Sequence, residues 1–158
     1  MGDHAEFGPS LMEKRRAVFL DRDGVLNRAI IRNGMPFPPA SLAEFEILPG
    51  VREALEQLYE SGFLLIVATN QPDVARGLQR REVVEAMHRQ LREQSPLDDI
   101  KVCYEEETPA SVCYKPKPGM LLETAREHAI DLSSSYMVGE TGGATLGVVG
   151  PRVVYDLY

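Results

Sequence analysis

The chain has 158 residues, a formal charge of -7, and 44% hydrophobic and 26% charged side chains. That is enough to bury one core and too little for two comfortable domains, and the acidic balance argues against a nucleic-acid surface, which needs clustered Lys and Arg. No run approaches the roughly 20 apolar residues of a membrane helix, and residues 1–16 lack the apolar centre of a signal peptide, so no membrane partner and a cytoplasmic location are expected.

Residues 1–16 are polar and carry Gly2, Gly8 and Pro9, which reads as a flexible lead-in to a single domain over 17–158. Ala17-Val18-Phe19-Leu20 is a short continuous apolar run closed by charged residues, the pattern of a strand buried on both faces of a parallel sheet. From Asn33 to Gly50 come four prolines and two glycines, which exclude a regular helix and predict a flap or long loop. Val51, Leu55 and Leu58 follow at helical spacing, with Gly62 as the stop. The run Phe63 to Ala68 is the clearest strand. A second helix is expected from Arg81 to about Glu93, with Val84, Met87 and Leu91 on one face. Ile100–Cys103 then predicts a third strand, Gly119–Ala129 a third helix and Tyr136–Val138 a fourth strand. This alternation predicts a doubly wound α/β fold, a mostly parallel sheet with helices on both faces. In such sheets ligands bind beyond the carboxyl ends of the strands.

Each predicted strand ends in chemically useful residues. After the first come Asp21 and Asp23, two carboxylates that repel each other unless a cation lies between them; magnesium, a hard ion with oxygen ligands, suits that gap, whereas a lone Asp-x-Asp is more often a solvated turn. After the second come Thr69, Asn70 and Gln71, donors for phosphate oxygens or, on local grounds alone, a strand end with a capping residue. Arg76 offers a planar donor for a further anionic group and equally reads as a solvent-facing arginine. Lys115 and Lys117 sit on a proline-stiffened loop before a helix N-terminus, where a lysine can be held toward a fixed point. His4, His88 and His128 lie in no such motif. Cys103 and Cys113 could in principle pair, but a chain of this size in a reducing compartment needs no structural disulfide.

Together, Phe19 to Asn27 (FLDRDGVLN), Thr69-Asn70-Gln71 with Ala75-Arg76-Gly77, and Lys115 to Met120 (KPKPGM) resemble the haloacid dehalogenase superfamily. Within it they resemble the heptose-bisphosphate and histidinol-phosphate phosphatase branch, over roughly Val18 to Gly139. The resemblance implies a Rossmann-like fold without a large cap domain and a magnesium-dependent phosphomonoester hydrolase acting on a small sugar phosphate. Asp21 would then form an aspartyl-phosphate, and Asp23 would serve as general acid and base and give magnesium its carbonyl. Thr69, Asn70 and Lys115 would stabilise the phosphoryl oxygens, and Gln71, Arg76 and Lys117 would bind substrate. A heptose 1,7-bisphosphate is the leading substrate and histidinol phosphate the runner-up, with an impaired relative that binds without turnover as the rival. A monomer or weak homodimer is expected.

Three departures stand out against that family. Its zinc loop corresponds to Cys103, Glu105, Ser111 and Cys113, which keeps two of four ligands, so zinc is not expected. Tyr114 replaces the usual arginine, which weakens the case for a second phosphate. Finally, the family's Val-Gly-Asp with a following Asp reads here as Val138-Gly139-Glu140, and Glu140 becomes the candidate metal ligand. A reading-frame shift would account for this tail: with free choice of synonymous codons, removing one GA pair after Gly139 gives Gly-Asp-Arg-Trp-Arg-Asp. On that reading 140–158 is atypical or truncated and has lost a metal ligand.

Overall fold

The structure is a computed structural model that describes residues 13–139 and the backbone of 152–155. Five strands form one sheet: β1 (Ala17–Leu20), β4 (Leu64–Asn70), β5 (Asp99–Cys103), β6 (Tyr136–Gly139) and β7 (Arg152–Tyr155). Their order is β5-β4-β1-β6-β7, and every neighbouring pair runs parallel. Three helices, α1 (Val51–Glu60), α2 (Arg81–Gln94) and α3 (Gly119–His128), make the crossovers.

Strand alternation decides which helix covers which face. Ala17 and Phe19 of β1 point to one side with Ile66 and pack on Met120 and Leu121 of α3. Val18 and Leu20 point to the other, onto Leu55 of α1 and Met87 and Leu91 of α2. Each of these fully buried large side chains contributes about 1.5–3 kcal/mol relative to exposure. The helices therefore lie on both faces, as the alternation predicts.

Between β1 and α1 the chain forms a hairpin, β2 (Ile30–Arg32) with β3 (Met35–Phe37), paired antiparallel. Its turn places Asn33 at φ 52 and Gly34 at φ 74, the left-handed pair that a two-residue hairpin turn requires. The expected flap is thus a small two-stranded cover, followed by a 3-10 turn at Leu42–Glu44.

Regular structure starts before Ala17. The Arg15 N–H donates to the Ala129 carbonyl at 2.8 Å, and the Asp131 N–H donates to the Arg15 carbonyl at 2.8 Å. The expected shift in the tail and the metal-ligand role of Glu140 lie outside the described residues, although β7 adds an edge strand beside β6. Among the described residues no helix is long and apolar enough to cross a membrane.

Candidate active site

Because the sheet is parallel, the loops after β1, β4 and β5 all leave from the same edge, beside the point where the chain turns to opposite sides of β1. Asp21 is the first residue past β1, and its N–H donates to the Val138 carbonyl of β6 at 2.9 Å. The next residues form a tight turn in which the Arg22 carbonyl accepts from the N–H groups of Val25, Leu26 and Asn27. Gly24 sits at φ 83 within it, so only glycine fits there without strain.

Lys115 Nζ lies 3.0 Å from Asp21 Oδ1, and the Arg22 N–H donates to the same oxygen at 2.9 Å. The ammonium and the amide thus converge on one oxygen of that carboxylate. Among the described residues no donor engages Asp21 Oδ2. Lys115 is placed by its own backbone: its N–H donates to Asn70 Oδ1 at 3.0 Å, and its carbonyl accepts from Asn70 Nδ2 at 3.1 Å. Asn70 thereby ties the lysine loop to the end of β4.

Asp23 is gripped on both oxygens. Its Oδ1 accepts from Arg22 Nε at 3.1 Å, Arg22 Nη2 at 2.8 Å and Asn27 Nδ2 at 3.0 Å. Its Oδ2 accepts from Gln71 Nε2 at 3.0 Å, which also reaches Thr69 Oγ1 at 2.9 Å. Arg22 is wholly buried, and its remaining nitrogen, Nη1, donates to His88 Nε2 at 3.2 Å. Burial, reinforced by repulsion from Arg22 and Arg92, pushes the His88 imidazole down to about 3. A neutral ring can accept that bond; a protonated one could not.

A cavity of about 640 Å³ opens beside this cluster, between the β2–β3 hairpin and the 72–79 loop, with Asp23, Asn70 and Gln71 at one end and Arg32 and Arg76 also lining it. Arg76 pairs with Asp73 at 3.3 Å and Glu106 at 3.8 Å. The structure therefore gathers Asp21, Asp23, Thr69, Asn70, Gln71 and Lys115, with Arg76 along the adjoining cavity. Lys117 is engaged elsewhere: its ammonium donates to the carbonyls of Thr108 at 2.6 Å, Pro109 at 3.2 Å and Ser111, which knits the loop together. Cys103 and Cys113 are bonded to each other, with Glu105 beside them. This corrects the expectation that the two would stay unpaired: the end of β5 and the loop ahead of Lys115 meet beside β4, where the Gln71 N–H donates to the Cys103 carbonyl at 2.8 Å.

Sequence reasoning missed Arg22 and His88. Arg22 stands between the two aspartates with no local signal of its burial. His88 followed Met87 in α2 without any motif, and only the fold brings the two together.

No protein-family model matches the chain. Among curated proteins, the D-glycero-β-D-manno-heptose-1,7-bisphosphate 7-phosphatase of Photorhabdus laumondii is 36% identical over 154 residues, covering 87% of this chain and 79% of the relative. The enzyme of the same name from Pasteurella multocida is 38% identical over 150 residues, covering 88% and 78%. The chain belongs to the heptose-bisphosphate phosphatase family of the haloacid dehalogenase superfamily. A solved member of this family, the D,D-heptose 1,7-bisphosphate phosphatase from B. bronchiseptica complexed with magnesium and phosphate, superposes with a TM-score of 0.69 at 28% identity, covering 90% of this chain and 93% of that one. Family membership makes the chain a phosphatase with the Rossmann-like fold described above.

Proposed function

We propose that this phosphatase removes the 7-phosphate of D-glycero-D-manno-heptose 1,7-bisphosphate through an aspartyl-phosphate on Asp21, with Asp23 as acid and base. The observation that carries the reading is the 3.0 Å contact between Lys115 and Asp21 beside the restrained carboxylate of Asp23.

The residues present suit magnesium. Asp21 Oδ2 and the Asp23 carbonyl are hard oxygen donors with no hydrogen-bond partner among the described residues, and they are the groups that would hold the ion. When bound, the ion would offset charge on the phosphoryl oxygens. Asp21 attacks phosphorus as the bond to the sugar oxygen breaks. The proton for the departing alkoxide comes from Asp23, which then takes a proton from the water that hydrolyses the acyl phosphate. Lys115 neutralises the developing charge. The hydroxyl of Thr69 is buried and accepts from Gln71 Nε2, while Asn70 acts by fixing Lys115.

The second anionic group of the substrate is the finer question, because Tyr114 stands where the family's arginine is usual. Arg32 and Arg76 in the cavity supply guanidinium groups from other elements, and two such cations favour a bisphosphate over histidinol phosphate, whose far end is an amine. The test is magnesium-dependent phosphate release from the heptose bisphosphate and histidinol phosphate side by side. A preference for histidinol phosphate sinks the substrate assignment. Absence of any magnesium-stimulated turnover, including of p-nitrophenyl phosphate, supports the binder without turnover.

A further inference from the structure

Asp23 has to present one oxygen to a leaving group and then to water, which requires its carboxylate not to rotate. The Arg22 guanidinium addresses that need. Its Nε and Nη2 both close on Asp23 Oδ1, at 3.1 and 2.8 Å, and Asn27 Nδ2 takes the same oxygen. Oδ1 takes three donors and Oδ2 only one, Gln71 Nε2 at 3.0 Å, so Oδ2 is the oxygen with capacity left for proton transfer.

A guanidinium is itself mobile unless its other end is fixed. Arg22 has no exposed surface, lies with its carbon 5.8 Å from the centre of the Phe45 ring, and hands its last nitrogen to His88. His88 is buried on α2, the helix packed against β1 and β4, so its ring is held by the core. The contact runs without a break from the core of α2, through a neutral imidazole and a buried guanidinium, to the acid/base.

We propose that Arg22 and His88 are positioning residues that hold Asp23 with Oδ2 toward the reacting oxygen. Resting on the assignment of Asp23 as acid and base, this pair sets the rate of proton delivery. As the Asp21–phosphorus bond forms and the phosphorus–oxygen bond breaks, the Asp23 Oδ2 proton passes to the departing oxygen. A misplaced carboxyl therefore slows departure of an alkoxide far more than that of a phenolate, which leaves without a proton.

The experiment compares single-turnover phosphoryl transfer from the heptose bisphosphate and from p-nitrophenyl phosphate, with magnesium, in wild type, His88→Leu and His88→Gln. His88→Leu is expected to slow the sugar ester by about tenfold or more and the aryl ester by much less; His88→Gln, which restores an acceptor, regains most of the loss. Arg22→Lys, which keeps the charge without the fork, carries the same comparison if His88→Leu does not fold. Equal slowing of both esters, no slowing of either, or no recovery in His88→Gln overturns the proposal while leaving the phosphatase reading intact. Failure of the wild type on both esters overturns that reading itself, and this inference with it.

Discussion

At the residue scale, the site consists of charges whose partners are already in place. The ammonium of Lys115 against Asp21 and the donors around Asp23 are preorganised, so little rearrangement is needed as charge moves onto the phosphoryl oxygens. Asp21→Asn removes the proposed nucleophile, and magnesium-dependent release of p-nitrophenolate is expected to fall to background. Lys115→Ala leaves the fold intact, since the Asn70 clamp uses only its backbone, and is expected to lower kcat on the order of 100-fold or more. A Lys115→Ala variant with near-normal kcat would show that the contact is structural only. Asp-x-Asp and Lys-Pro were legible as candidates because strand ends and prolines restrict where their side chains can go. Arg22 was not, because burial of an arginine depends on partners from distant segments.

At the scale of elements, two connections determine the site. One is the pairing of Asn70 at the end of β4 with the backbone of Lys115. Asn70→Ala is expected to reduce kcat by about tenfold or more by freeing the lysine loop; a change in KM alone would argue against that role. The other is the approach of α3 to the same loop. A Cβ on Gly119, the first residue of α3, would lie 2.0 Å from the Val112 carbonyl oxygen, a backbone atom that cannot swing aside. Gly119→Ala is therefore expected to cost about 1–3 kcal/mol in urea unfolding and to depress turnover by displacing the loop that carries Lys115. The β2–β3 hairpin shows what a closer reading could have found. Ile30-Ile31-Arg32 and Met35-Pro36-Phe37 flank Asn33-Gly34, a strong short-range hairpin signal, which the density of prolines after it obscured.

For the whole molecule, the link from α2 to the active site carries a stability consequence. The unfolded chain takes up a proton at His88 near the ordinary value of 6.5, while the folded chain does so only at about 3. Between those values the unfolded state binds more protons, so stability is full above pH 6.5 and falls as the pH is lowered through the window. For one such group the loss is about 2 kcal/mol from pH 7 to pH 5. Urea titrations at the two pH values should show it in wild type and a smaller difference in His88→Gln; equal differences would mean that His88 titrates normally in the fold.

The α/β class, four of the five strands of the main sheet, the three helices and the aspartate and lysine candidates were all present in local pattern. Continuous apolar runs mark strands buried on both faces, 3.6-residue spacing marks helices, and polar residues at strand ends mark the functional edge. Which of two lysines meets Asp21, what an asparagine holds and why an arginine is buried depend on contacts across long sequence separations. Asn70 meets Lys115 across 45 positions and Arg22 meets His88 across 66. Local periodicity carries no information about such pairings, because they exist only once parallel strands bring separate loops to one edge.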